Sequence, residues 1–510
     1  MQGKKHYKEK LFVSFQLSEH VPEDNFYRRL KQLLDLNFLY EKTAPYYGKE
    51  GQKSVDPVVF MKLMLVGYLE NLNSDRRIVS MTKMRLDILY FLGYDLDEEL
   101  PWHSTLSRTR QLYGQEVFMD VFRAVLKQCI EKGMLSGRRQ AVDGVFVKAN
   151  ASLDSMIERE ILTDAANFTQ ELDTNQEGEK AAIVDIDKDR PREYNDLAPK
   201  KNPSNKTHYS PTDPDAKMSV KPGKVTALNY LGQVSVDTNS HVITHIQAFE
   251  ANRRDSQCLP SFIENLVDTL HRNGLCLEEI IADKGFSSGE AMKALEDHNI
   301  TGYIPNRGQF VYERPGFTYH EEGDYHICPN QKKLVYKGTY ETLEGIFNKE
   351  YRANRKECNK CPLKENCLAY RKQGTIIRET VDRRYYKIMH ERMQTKKAKI
   401  LMKKRQSTIE PVIGTLVNYQ GMKKVNTKGL HQANKCMTLS AIAYNIKKLL
   451  RYKPQLAQFR VNEMKQGIKD SLRSHLPLFK LTHCLLQIYS SITGKSIYKA
   501  QLQTIAAMTK

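Results

Sequence analysis

The chain has 510 residues, with 79 Lys and Arg against 60 Asp and Glu and a formal net charge of +19. That length exceeds one ordinary core and suggests two to four units at about 150 residues each, while the basic excess favours polyanions, nucleic acid before an anionic membrane. A membrane span is not expected, because no apolar run reaches about 18 residues and the best late one, 476–488, is broken by Pro477, Lys480 and His483.

The first ten residues lack the apolar centre of a signal peptide, so the expected place is inside the cell. Residues 20–135 then read as helices. Asp56 and Pro57 supply an N-cap and a first-turn proline before 58–69. Ser74 is placed to cap a segment reaching about Leu92, a third helix begins near Ser104, and a fourth covers 116–132 before Gly133. Arg76, Arg77, Arg108 and Arg110 suit a helix-turn-helix reading DNA, although spacing alone slightly favours a bundle with a solvated basic face.

Period-two runs begin at about Gly137, at 141–147, 230–236 and 242–248. The polar stretch 164–224 between the first two reads as an insertion or arm outside the core. Helices are expected at 255–273 and 287–298, and strands at 278–282 and 300–304. Strands followed by helices imply an α/β fold with a mixed sheet covered on its faces. Residues 305–375 interrupt this with Gly, Pro, Tyr and clustered Cys, and helical patterning resumes from about Arg383 to Tyr452. An amphipathic helical tail of unassigned role follows.

Asp143 sits inside the apolar run 140–147, where a carboxylate is out of place. Burial without a partner costs several kcal/mol, so a bound cation or a basic neighbour is expected beside it. Asp283 ends the strand of Ile280 and Ile281, where α/β sheets present ligands; taken alone, it reads as a turn-starting Asp. Glu410 stands at the expected start of a helix behind Lys403, Lys404 and Arg405, and its spacing from Ser407 fits a capping box. Pro411 opposes that box, since a residue before proline is biased away from helical angles. Asp213 and Asp215 read as turn residues of the arm, and Asp237 as part of a hairpin turn.

Four cysteines, Cys328, Cys358, Cys361 and Cys367, form C-x29-C-x2-C-x5-C. A Cys-x-x-Cys pair with two more thiols suits a structural zinc site, with free reduced thiols and a redox pair as the alternatives. The remaining five, Cys129, Cys258, Cys276, Cys436 and Cys484, are expected to be reduced and buried as small apolar residues. His326 reads as a bystander. The cations Lys396, Lys397, Lys399, Lys403, Lys404 and Arg405 precede Glu410, and Lys423 and Lys424 follow it. Near an acidic metal site they would neutralise DNA phosphates, with sequence reading left to the N-terminal helices around Arg76 and Arg77.

From residue 56 to about 450 the chain resembles the insertion-sequence DDE transposases, nearest to insertion-sequence group 1182. The motifs carrying this are Asp56-Pro57 with 72–77, 142–152, 212–216, 281–286, the cysteine cluster and 405–414, in that order. The chain departs from the usual pattern at Ile413 and Val417, where Phe and a basic residue are common, and at Ala227 and Leu228, where Gly-Tyr is usual.

The resemblance implies an RNase H-like catalytic core with Asp143, Asp283 and Glu410 as the catalytic and metal-holding triad for two Mg²⁺ or Mn²⁺ ions. It implies an N-terminal helical domain over 1–135, core halves at 136–304 and 376–453, a Cys-rich insertion at 305–375 that holds zinc, and a tail at 454–510. The implied activity is cleavage at element ends and strand transfer. Terminal inverted repeats and target DNA are the implied partners, with a homodimer joining two ends and a nucleoid-associated place in a prokaryotic cytoplasm. An inactive DNA-binding descendant and a general RNase H-like nuclease are the competing expectations.

Overall fold

The computed structural model describes residues 2–5, 14–48, 50, 54–159, 203–220, 225–307, 315–342, 347–367, 369–371 and 374–453. The expected tail at 454–510, Cys484 and most of the expected arm lie outside the described residues. The N-terminal helices are α1 (Phe26–Leu33), α2 (Pro57–Leu69), α3 (Asp75–Lys83), α4 (Leu86–Leu92), α5 (His103–Leu112) and α6 (Gln115–Glu131). Asp56 caps α2 as expected, accepting from the N–H groups of Val58 and Val59. Ser74 occupies the N-cap position of α3 without a side-chain cap bond, and the segment expected to run to Leu92 breaks at Met84 and Arg85 into two helices.

The central sheet is built from β1 (Arg139–Lys148), β2 (Lys217–Ser219), β3 (Ala227–Asp237), β4 (Ile243–Glu250), β5 (Glu279–Ile281) and β6 (Thr301–Tyr303). Its strand order is β2, β3, β1, β5, β6, with β4 also pairing to β3. β1 runs antiparallel to β3 and parallel to β5, and β5 parallel to β6. A long central first strand between an antiparallel hairpin and two parallel strands is the plan of an RNase H-like sheet. The end of the expected arm is not outside the core: Lys217–Ser219 joins the sheet, and Asp213 is buried.

Both faces are covered, which explains the near-continuous apolar character of the strands. On one face Val142, Leu231, Ile280 and Ala282 pack with α7 (Asp255–His271), α8 (Gly289–Asp297) and Met389 of α9 (Arg383–Gln394). On the other, Ile281 and Tyr303 pack with Ala398 and Leu401 of α10 (Lys396–Tyr419). Glu279 anchors that helix, with Lys397 and Arg139 both donating to it. Burial opposes ionisation of Glu279, yet these donors hold its pKa below the ordinary value.

The last helix among the described residues, α11 (Leu430–Arg451), is buried along most of its length. It ties the N-terminal helices to the sheet. Lys435 donates to the carbonyls of Arg110 and Tyr113 at 3.0 and 2.6 Å. On its other side Asn445 both accepts from the Ile243 N–H and donates to the Ile243 carbonyl, and Asn434 accepts from the Ala248 N–H.

The Cys-rich region forms a separate sheet of β7 (Thr318–His320), β8 (Tyr325–Ile327), β9 (Lys333–Glu341), β10 (Phe347–Arg352), β11 (Tyr370–Arg371) and β12 (Gly374–Thr380). Its small core centres on Leu334, Tyr351 and Ile377. Among the described residues no helix is long and apolar enough to cross a membrane.

Candidate active site

Val142 packs on the α7 side of the sheet and Phe146 joins it there, so strand alternation turns Asp143 to the α10 side. There Arg405, only 6% exposed, places Nη2 2.9 Å from Oδ2 of Asp143. The Gly144 N–H donates to Oδ1 at 2.9 Å. The compensation expected for this carboxylate is therefore a basic neighbour. Arg405, expected in the DNA-facing basic run, is instead buried as that neighbour. Its length and planar head let it reach the sheet, and its charge offsets the cost of a half-buried carboxylate.

Asp283 lies two residues beyond β5. The parallel register pairs Ala141 with Ile281. Asp143 and Asp283 each come two residues after that last parallel pair. Ile281 faces α10 and Ala282 faces α7, so the same alternation assigns Asp283 to the α10 side, the side of Asp143. Its turn reading also holds, since Oδ1 accepts from the Gly285 N–H at 2.8 Å and caps the single turn Lys284–Phe286.

Glu410 does not start a helix. It lies well inside the 24-residue α10, whose N-cap is Thr395, so the capping box with Ser407 is absent. Pro411 is accommodated within the helix at the loss of one backbone bond. Five residues past Arg405, Glu410 stands about 140° around the helix and roughly 7.5 Å further along it, and it is exposed. Among the described residues no group of three or more His, Cys, Asp or Glu is placed to hold one metal ion. Oxygen donors at Asp143 and Asp283 fit a hard divalent cation in type, whereas Glu410 is not grouped with them.

Sequence reasoning missed Asp255. It opens α7, and its carboxylate lies against the backbone beside both aspartates: a Cβ on Gly144 would stand 2.1 Å from Asp255 Oδ1, and a Cβ on Gly285 3.4 Å from Asp255 Oδ2 and 2.9 Å from Asp283 Oδ1. Only glycine permits that approach at Gly144. The available signal was a glycine directly after one suspect Asp and another two residues after the second. The set-aside aspartates hold structure. Asp213 accepts from Tyr230 Oη and the Gly429 N–H, Asp215 accepts from the Leu430 N–H at the start of α11, and Asp237 accepts from Asn239 and Ser240 in its turn.

Of the expected DNA-contacting cations, Lys403, Lys423, Lys424, Arg76 and Arg77 are exposed. Lys404 donates to Asn239 Oδ1 at 2.8 Å. Arg110 is buried and paired with Asp75, which removes it from any DNA-reading face. The chain after α10 is tied to the end of β1, with Lys148 N–H donating to the Lys423 carbonyl and Val425 N–H to the Lys148 carbonyl.

The four clustered cysteines line one cavity of about 160 Å³. Cys358 and Cys367 lie 3.3 and 3.7 Å from Thr375 Oγ1, Cys328 accepts from the Lys332 N–H, and Cys361 accepts from Asn330 Nδ2. All four are free thiols, as are Cys129, Cys258 and Cys436, which are buried as expected, and Cys276, which is exposed instead, between α7 and β5. The softness and number of the four clustered thiols are those of a structural zinc set, but in this structure they are not grouped to hold one ion. His326 sits apart from this cavity, buried 3.3 Å from Glu379 and against Tyr319 and Tyr351.

Two family models match the chain, a "Transposase domain (DUF772)" over residues 15–112 and a "Transposase DDE domain" over residues 327–450. No curated protein matches it. Among solved structures, "Mos1 transposase paired-end complex with left transposon end" is 10% identical over 50% of this chain and 61% of that one, with a TM-score of 0.15. "Crystal structure of the Mos1 mariner paired end complex with Mn" is 10% identical over 56% of this chain and 72% of that one, also at a TM-score of 0.15. Those two overlaps are too slight to carry an argument. The first family model lies on the N-terminal helices and the second covers the four clustered cysteines, the helix of Glu410 and α11, with an RNase H-like sheet between them, so the chain carries a transposase domain and a transposase DDE domain.

Proposed function

We propose that this chain cuts DNA at the ends of an insertion sequence and joins the freed ends to target DNA, with Asp143, Asp283 and Glu410 as its catalytic carboxylates. What supports this reading is that Asp143 and Asp283 each follow the last residue pair of the parallel β1–β5 register by two residues. Bound Mg²⁺ or Mn²⁺, two per site, would neutralise phosphate charge and favour an ionised attacking oxygen. The carboxylates would hold those ions, and the exposed Lys403, Lys423 and Lys424 would bind phosphates flanking the scissile one. In the first step a water oxygen bonds to phosphorus, and the 3′ oxygen leaves with the bonding pair and gains a proton. In the second, that 3′-hydroxyl attacks a target phosphodiester, releasing a target 3′-hydroxyl.

Asp143→Ala, Asp283→Ala and Glu410→Ala should each abolish Mg²⁺-dependent cleavage of labelled element ends while end binding persists. Retained cleavage in Asp143→Ala would remove the proposal. The Asp143–Arg405 pair favours a second reading, an end-binding protein that does not cut; wild-type cleavage decides between them. The motif order supports group 1182, a homodimer would hold two ends together, and the four cysteines would bind one structural zinc. Light scattering with and without end DNA tests the dimer.

A further inference from the structure

Trp102 is the sole tryptophan of the chain, and it is 76% exposed in the loop leading into α5. The exposed indole leaves apolar area that a ligand can bury, worth about 2–3 kcal/mol. Its ring lies nearly perpendicular to that of His103, with centroids 6.5 Å apart. Trp102, Pro101, Leu100 and Val79 line a cavity of about 370 Å³ whose charged residues are Arg76, Lys83 and Glu99.

Arg76 and His103 also line a second, polar cavity of about 470 Å³, together with Asn73, Asn150, Lys424 and Asn426. Asp75 borders it too, but its carboxylate is taken by Arg110. Arg76 and Lys424 are exposed and form no ion pair among the described residues. The two cavities thus share a wall, one side apolar with an indole and the other basic and rich in amides. A nucleotide has the same two halves.

The position agrees with this. Lys424 is tied to the end of β1, five residues beyond Asp143 on the same strand, a rise of roughly 17 Å. Along a DNA strand that distance is about five nucleotide steps.

We infer that this double groove binds an unpaired nucleotide of single-stranded DNA near the cut, its base stacked on Trp102 and its phosphate held by Arg76 and Lys424. The inference rests on the transposase reading, which supplies the strand. Stacking on an aromatic ring is tolerant of sequence and contributes about five- to hundredfold to affinity per base. A paired duplex cannot offer a free base face to the indole, so the groove should prefer single strands.

Because Trp102 is the only indole, its fluorescence in the full-length protein reports the site directly. Single-stranded oligothymidylate should quench it, and a duplex of equal length should leave it unchanged. Trp102→Ala should weaken single-strand binding about tenfold by fluorescence anisotropy, while Trp102→Phe retains most of it. Arg76→Ala and Lys424→Ala should each lower the salt slope of binding by about 0.7. Circular dichroism of each variant reports its fold. A strand that binds without quenching, or with unchanged affinity in Trp102→Ala, overturns the inference. Cutting of ends without Trp102 quenching defeats this site alone, whereas quenching without any metal-dependent cutting defeats the transposase reading alone.

Discussion

Arg405 crosses from α10 to the middle of β1 and places Nη2 2.9 Å from Oδ2 of Asp143, so one catalytic candidate is charge-compensated from within the chain. Arg405→Gln leaves Asp143 with a lost counter-charge in a half-buried place and should cost about 3 kcal/mol. If the carboxylate holds a divalent ion, millimolar Mg²⁺ should restore much of the melting temperature lost in EDTA. Equal loss with and without Mg²⁺ in thermal melts would mean that no ion takes the place of the guanidinium.

Gly144 is a second sharp constraint. A methyl group there would meet Asp255 Oδ1 at 2.1 Å and its Cγ at 2.9 Å. Gly144→Ala should therefore displace Asp255, lower stability by about 1–3 kcal/mol, and reduce end cleavage more than end binding. Denaturant titration and a cleavage assay run side by side measure both effects.

Lys435 is 3% exposed, and burial lowers its pKa from 10.5 to about 8. Between these values the unfolded chain binds a proton that the folded chain has released, so stability should rise with pH from about 8 to 10.5. The gain is on the order of 2–3 kcal/mol. Lys435→Met should remove this rise, visible as the difference between the two proteins' urea midpoints across that range.

The cysteine cavity makes a direct prediction about metal. Purified protein should carry about one zinc per chain by elemental analysis, and a strong chelator should lower its melting temperature. Cys361→Ser should lose the metal and become insensitive to the chelator. Zinc-free protein whose melting is unmoved by chelator would leave the four thiols as packing around Thr375.

Much of the core was legible because its signals are local. Alternation marked β1, β3 and β4, the Asp56-Pro57 start marked α2, and an Asp in an apolar strand marked a carboxylate that needs a cation or a basic partner. The failures share one cause, which is that tertiary contacts outweighed neighbours in sequence. Glu410 read as a helix start because it follows a basic run and its spacing from Ser407 fits a capping box, yet packing of Ala398, Leu401, Ile409 and Val412 extends α10 through the proline. Arg405 read as one more cation in a basic run, and nothing nearby in sequence announces a partner more than 260 positions away. Asp213 looked like turn chemistry in a polar arm, while the structure spends its carboxylate on Tyr230 and Gly429. Asp255 carried no signal of its own, since its significance comes from the glycines facing it.

Asn445 engages both the N–H and the carbonyl of Ile243 on the outermost strand of the antiparallel side. A side-chain amide thereby stands in for the backbone of another strand, and Asn434 does likewise at Ala248. Exposed strand borders invite polymerisation by β-pairing, and here a helix of the same molecule already occupies that border at Ile243 and Ala248. A second copy would have to displace these two amides before its own strand could pair there.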